Sequence, residues 1–130
     1  MTTLFWILAV VNVANGLWML ATPGGWFTGV PAAVPDTGPL NPHFVRDVGV
    51  VYLVSGVGLA WCARNLDRAL PVLVGITAFH VGHALTHVAD ILTGRLPASH
   101  WLIDTPGVFA PTILLVMMAL VLAKNEGARA

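Results

Sequence analysis

Four long apolar runs alternate with three polar or proline-rich interruptions along this chain. The first run, residues 3–21, stops at Thr22-Pro23-Gly24-Gly25, a cluster that breaks helices. From Trp26 to Pro42 come Pro31, Pro35, Pro39 and Pro42 with Gly29 and Gly38, which argues against regular helix. That stretch reads as an interfacial loop over residues 22–41, with Trp26 and Phe27 at headgroup level.

Asn41-Pro42 has the form of an N-cap followed by proline at the first helical position, so a second helix is expected over about 42–63. Arg64-Asn65-Leu66-Asp67-Arg68 makes a short polar turn. A third helix follows over about 69–92 and halts at Thr93-Gly94. Thr105-Pro106 repeats the cap-plus-proline device and opens a fourth helix over about 105–123, with Pro111 placed to kink its first turns. Each run is close to the roughly 20 residues that cross a bilayer core. The fold expected is all-α, an integral membrane four-helix bundle, up-down-up-down, with residues 1–130 a single transmembrane domain.

Composition strengthens this picture. The chain is 57% hydrophobic and only 9% charged, against roughly 25% charged in soluble domains. Six basic residues balance six acidic ones, so there is no basic field to attract nucleic acid. The lone Cys62 offers neither an internal disulfide nor a CxxC redox pair and reads as inert. The first run lacks a basic leader and is interrupted by Asn12 and Asn15, so it reads as a retained helix. Arg64, Arg68, Lys124 and Arg129 fall on one side of such a bundle. The positive-inside rule then puts both termini in the cytoplasm of a bacterial inner membrane. Arg46 and Arg95 fall on the other side, Arg46 within reach of acids on its own helix.

Glycines at 49, 56 and 58, and at 75 and 82 with Ala89, suit close helix approach in lipid. The short turn makes the second and third helices neighbours. Asn12 and Asn15 read as interhelical hydrogen-bonders, Met117 and Met118 as packing, and the five tryptophans mostly as interfacial anchors.

Ionisable side chains inside a span are costly, about 2.5–3.5 kcal/mol for a central charge, so each needs a reason. The second helix opens with His43, Arg46 and Asp47; the third carries His80, His83, His87 and Asp90. At 100° per residue the last four fall within roughly an 80° arc. Helix rise puts Asp47 near the depth of His87, and His43 near Asp90, if the two helices run in opposite directions. His100 and Asp104, ahead of the fourth helix, return to the same rim.

Imidazole and carboxylate donors in this pattern suit a transition metal, Zn, Fe, Mn or Cu, with His43, Asp47, His83, His87 and Asp90 as ligands. Arg46, His80, His100 and Asp104 would support or gate that site. Haem, held by His43 with His83 or His87, ranks below a bare ion because carboxylates crowd the site. Three other readings compete. The cluster could be a packing network in a structural or accessory subunit. It could contact a partner membrane protein or a second copy. It could also serve a proton-coupled carrier, which at four spans would call for a dimer. No nucleophile with a placed base is apparent, so the residues do not decide whether this is an enzyme.

The stretch Asn41-Pro42-His43-Phe44-Val45-Arg46-Asp47-Val48-Gly49, after Gly16-Leu17-Trp18-Met19-Leu20 and the proline-rich run, resembles small four-span bacterial membrane proteins of the DoxX-like type. The resemblance implies the hydropathy plan and no activity or catalytic residue.

Overall fold

The computed structural model describes residues 1–128 and, among them, contains helices and no strands. The long helices are α1 (Thr2–Ala21), α3 (Pro42–Arg64), α4 (Ala69–Leu92) and α6 (Ala110–Gly127). Two short ones, α2 (Pro23–Gly29) and α5 (His100–Ile103), lie in the connections. Four segments are long and apolar enough to cross a membrane, α6 counting together with the turn before it. Many of their large apolar side chains, Val10, Val54, Leu85 and Leu120 among them, face outward, a surface compatible with lipid contact. Arg129, one of the four residues used to orient the chain, lies outside the described residues.

Local chemistry explains the boundaries. Asn41 caps α3, its Oδ1 accepting from the backbone N–H of His43 and Phe44, both at 3.1 Å, while Pro42 occupies N1. Gly94, at φ +74°, ends α4. The loop expected over 22–41 is more ordered than its prolines suggested. Pro23 presets the first turn of α2, and the next proline, Pro31, falls beyond its end. Val34–Thr37 adds a 3₁₀ turn. The fourth helix also begins differently from expectation. Thr105–Phe109 forms a widened π-type turn in which Val108 and Phe109 both donate to the Asp104 carbonyl, and regular α6 starts at Ala110. Pro106 and Pro111 lack amide protons, so a regular ladder cannot run through this stretch.

The tightest packing is between α1 and α3. A Cβ on Gly16 would come within 2.6 Å of the Gly49 carbonyl and 2.7 Å of the Leu53 amide. One on Gly56 would come within 2.8 Å of the Val13 amide and 2.9 Å of the Ala9 carbonyl. Only glycine allows this backbone approach. Gly58 of α3 lies against Ile76 of α4, so the expected neighbours do meet. A Cβ on Gly75 or Gly82 would meet nothing within 4 Å, so neither makes such a close approach.

Two apolar clusters build the interior. Phe5, Leu8, Leu59, Cys62, Leu73, Ile76, Leu115 and Met118 form the larger, drawing on all four long helices. Met19, Val45 and Tyr52 form the smaller, with Trp26, Val48 and Phe79 against it. Between them along their helices stand the buried polar residues Asn12, Ser55 and Thr77, and His80 and Thr112 are buried polar residues as well.

Candidate functional site: a histidine–aspartate chain

The buried stripe of α3 runs Val45, Gly49, Tyr52, Gly56 and Leu59, a spacing of four and three that keeps one face against α1 and α4. At 100° per residue, His43 and Asp47 point roughly opposite to it. They pair with each other, His43 Nε2 to Asp47 Oδ2 at 3.3 Å, with side chains 87% and 61% exposed. Arg46 is exposed. Asp90 pairs with Arg95 at 3.3 Å rather than with Arg46. The polar faces of the second and third apolar helices therefore do not meet. His43 and Asp47 stand apart from His83 and His87, and Asp90, one turn along α4 from His87, is engaged by Arg95.

His87 has a different partner. Its Nδ1 lies 2.7 Å from Oδ2 of Asp104, a carboxylate almost fully buried at the end of α5. Asp104 also receives Nδ1 of His100, one turn before it, at 3.2 Å to both oxygens. The other nitrogen of His100, Nε2, lies 3.1 Å from Oδ2 of Asp36 in the proline-rich connection. One continuous chain thus runs from Asp36 through His100 and Asp104 to His87. Its ends differ in exposure: the Asp36 side chain is 47% exposed and that of His87 16%, while His100 and Asp104 are enclosed.

Short elements with fixed geometry hold this chain. Helix α5 puts His100 and Asp104 on one face at i,i+4. The loop comes to His100 through the 3₁₀ turn that contains Asp36, which follows Ala33 in the left-handed region at φ 46°. Trp26 Nε1 donates to Asn15 Oδ1 at 2.8 Å and secures the start of the same connection to α1. The expectation that Asn15 bonds across helices holds here, whereas Asn12 Nδ2 donates to Leu8 of its own helix.

Both nitrogens of His100 face carboxylate oxygens. A neutral imidazole has one N–H, so the ring satisfies both contacts only as imidazolium or with a protonated carboxyl donating to it. Burial opposes the charged ring, but the hydrogen bonds to Asp36 and Asp104 and the charges behind them outweigh it. The His100 pKa therefore stands above its ordinary value.

Beyond His87 the α4 face continues inward. The His83 ring lies 4.7 Å from that of His87, centroid to centroid, and stacks near-parallel on Phe79. Tyr52 of α3 meets Phe79, His80 and His83 edge-on. His80, one turn deeper than His83, is buried, with Nε2 unpartnered, and the Thr112 hydroxyl is shared between the Val108 carbonyl at 2.7 Å and the His80 carbonyl at 3.2 Å.

No protein-family model, curated protein or solved structure matches the chain. Among the described residues, no group of three or more His, Cys, Asp or Glu is disposed to hold a metal ion. Of the residues singled out in the sequence, His80, His83, His87, His100 and Asp104 gather along α4 and α5. Asp36 was missed. Its signal was present as the one charged residue in the stretch 22–41.

Proposed function

We propose that this chain is an up-down-up-down four-helix membrane bundle that takes up and transfers protons through Asp36, His100, Asp104 and His87. We place it in a bacterial inner membrane, where the positive-inside rule sets both termini and the α3–α4 turn in the cytoplasm and the chain of acids and imidazoles at the outer face. The observation that carries this reading is His100 enclosed between two carboxylates, with Asp104 shared by His87. Histidine titrates near neutral pH, and alternating imidazole and carboxylate groups at hydrogen-bond distance pass a proton by successive small shifts. Asp36 meets water, and His87 delivers inward.

The test is proton flux into liposomes carrying the purified protein, read by an enclosed pH-sensitive dye under a potassium diffusion potential. Wild type should conduct, Asp104→Asn should not, and Asp47→Asn should conduct as wild type does. Wild-type liposomes no more permeable than empty ones would overturn the proposal.

One observation favours a second reading, a transition-metal site. Asp104 engages His87 Nδ1 and leaves Nε2 as the coordinating nitrogen, the arrangement by which carboxylates orient imidazole ligands, and His83 stands beside it. His43, Asp47 and Asp90 would then have to close on it from the rim. Elemental analysis of the purified protein separates the readings, since near-stoichiometric Zn, Fe, Mn or Cu lost in His87→Ala would establish the ion.

A further inference from the structure

Asn12 from α1, Ser55 from α3 and Thr77 from α4 are buried polar side chains at the level where one apolar cluster gives way to the other, and buried His80 lies just beyond on α4 with its carbonyl beside Thr112 of α6. The contacts of Gly16 with Leu53 and of Gly56 with Val13 bring Asn12 to the level of residues 53–56 of α3. The edge-on contact of Tyr52 with His80 brings the middle of α4 to the same level. Three polar atoms at or beside this layer have no partner: Asn12 Oδ1, Thr77 Oγ1 and His80 Nε2. Native interiors leave few buried polar atoms unsatisfied, and a buried water bonded to two to four such groups is the usual remedy. Thr77 and His80, three residues apart, share a face of α4.

We infer that this layer holds water bonded to His80 Nε2 and Thr77 Oγ1, and that His80 is the innermost proton-exchanging station of the chain. The inference rests on the proton-transfer reading and extends it to mid-depth. His80, His83 and His87 rise along one face in steps of three and four residues, so the outer chain and the water layer are joined by one ladder of imidazoles. At His80 the step is a plain exchange: as the Nε2–H bond forms, an O–H bond of a hydronium ion in the layer breaks and leaves water, and in reverse the Nε2 proton returns to a water molecule. The groups near the His80 ring are Tyr52 from α3 and Phe79 and His83 from α4, while Thr112 of α6 bonds to the His80 backbone carbonyl. None of them is a carboxylate, so the charge must pass through quickly rather than reside there.

The test uses the full chain in liposomes, with His80→Phe, which keeps a ring against Phe79 and Tyr52, and Thr77→Val, which replaces the hydroxyl with a methyl of similar size. Two signals are read: magnetisation transfer from water to the His80 ring by NMR, and proton flux. Wild type should show the water contact, Thr77→Val should lose most of it, and His80→Phe should lose flux while the His87 and His100 ring signals stay as in wild type. An absent water contact in wild type overturns the hydrated layer. Flux abolished by Asp104→Asn yet unchanged by His80→Phe overturns the inner station and leaves the outer chain standing. No flux in wild type overturns both.

Discussion

Replacing Asp104 with alanine removes the one group shared by two imidazoles in an enclosed setting. Its carboxylate accepts from His87 at 2.7 Å and from His100 at 3.2 Å, and it is 2% exposed. Hydrogen bonds to charged groups contribute about 1.5–3 kcal/mol each, and breaking a buried charge pair by removing one partner costs about 3–5 kcal/mol. His100 keeps Asp36, and His87 is exposed enough to turn to water, so the two losses do not add fully. Asp104→Ala should therefore cost about 3–5 kcal/mol, and Asp104→Asn, which keeps one acceptor oxygen, roughly half of that. The assay is reversible denaturation in mixed micelles followed by circular dichroism. His87→Ala should cost less than Asp104→Ala, and the double variant less than the sum, because the two share a bond. An Asp104→Ala protein within about 0.5 kcal/mol of wild type would refute the reasoning, since changes of that size are what surface substitutions produce.

The loop clasp should depend on pH. His100 has its pKa raised by Asp36 and Asp104, so its contribution is complete below the ordinary value of about 6.5 and is lost as pH rises through the higher folded value. Amide protection across residues 33–38, measured relative to the intrinsic base-catalysed rate at each pH, should fall over that alkaline window in wild type, and Asp36→Asn should flatten the dependence; equal protection at pH 6 and pH 9 in wild type would count against it. Gly16→Ala drives a methyl into the Gly49 and Leu53 backbone and should cost about 1–3 kcal/mol in the same denaturation assay. Gly82→Ala meets open space and should be neutral or gain up to about 1 kcal/mol from helix propensity. His43→Ala removes half of an exposed pair and should shift stability by less than about 1 kcal/mol, with no effect on the His87 resonances.

The helices were legible because apolar runs and their punctuation are local. The Asn41-Pro42 cap and the Gly94 stop stand where the residues put them. Helix α2 was not legible, because prolines at 31, 35 and 39 colour the whole stretch although none falls between Pro23 and Gly29. The histidine stripe of α4 was also readable from periodicity alone. Its partner was not. Depth matching offered His43 and Asp47, but depth does not fix rotation, and the glycine contact with α1 turns α3 so that both point away. Asp104 could be placed at the rim from its position ahead of the fourth helix, yet its bond to His87 depends on α5 and the π-type turn. Asp36 reaches His100 across 64 residues through a 3₁₀ turn, a closure that no local pattern announces.

The measurement that bears most directly on the account is nitrogen-15 NMR of the histidine rings in lipid, wild type beside Asp36→Asn. A single connected chain predicts that His100 stays doubly protonated to higher pH than an ordinary imidazole, with both N–H groups hydrogen-bonded in that state. It also predicts that loss of the Asp36 charge shifts the His87 signals through Asp104 while those of His43 stay put. A His100 that titrates at the ordinary histidine value, or His87 signals indifferent to Asp36, would contradict it.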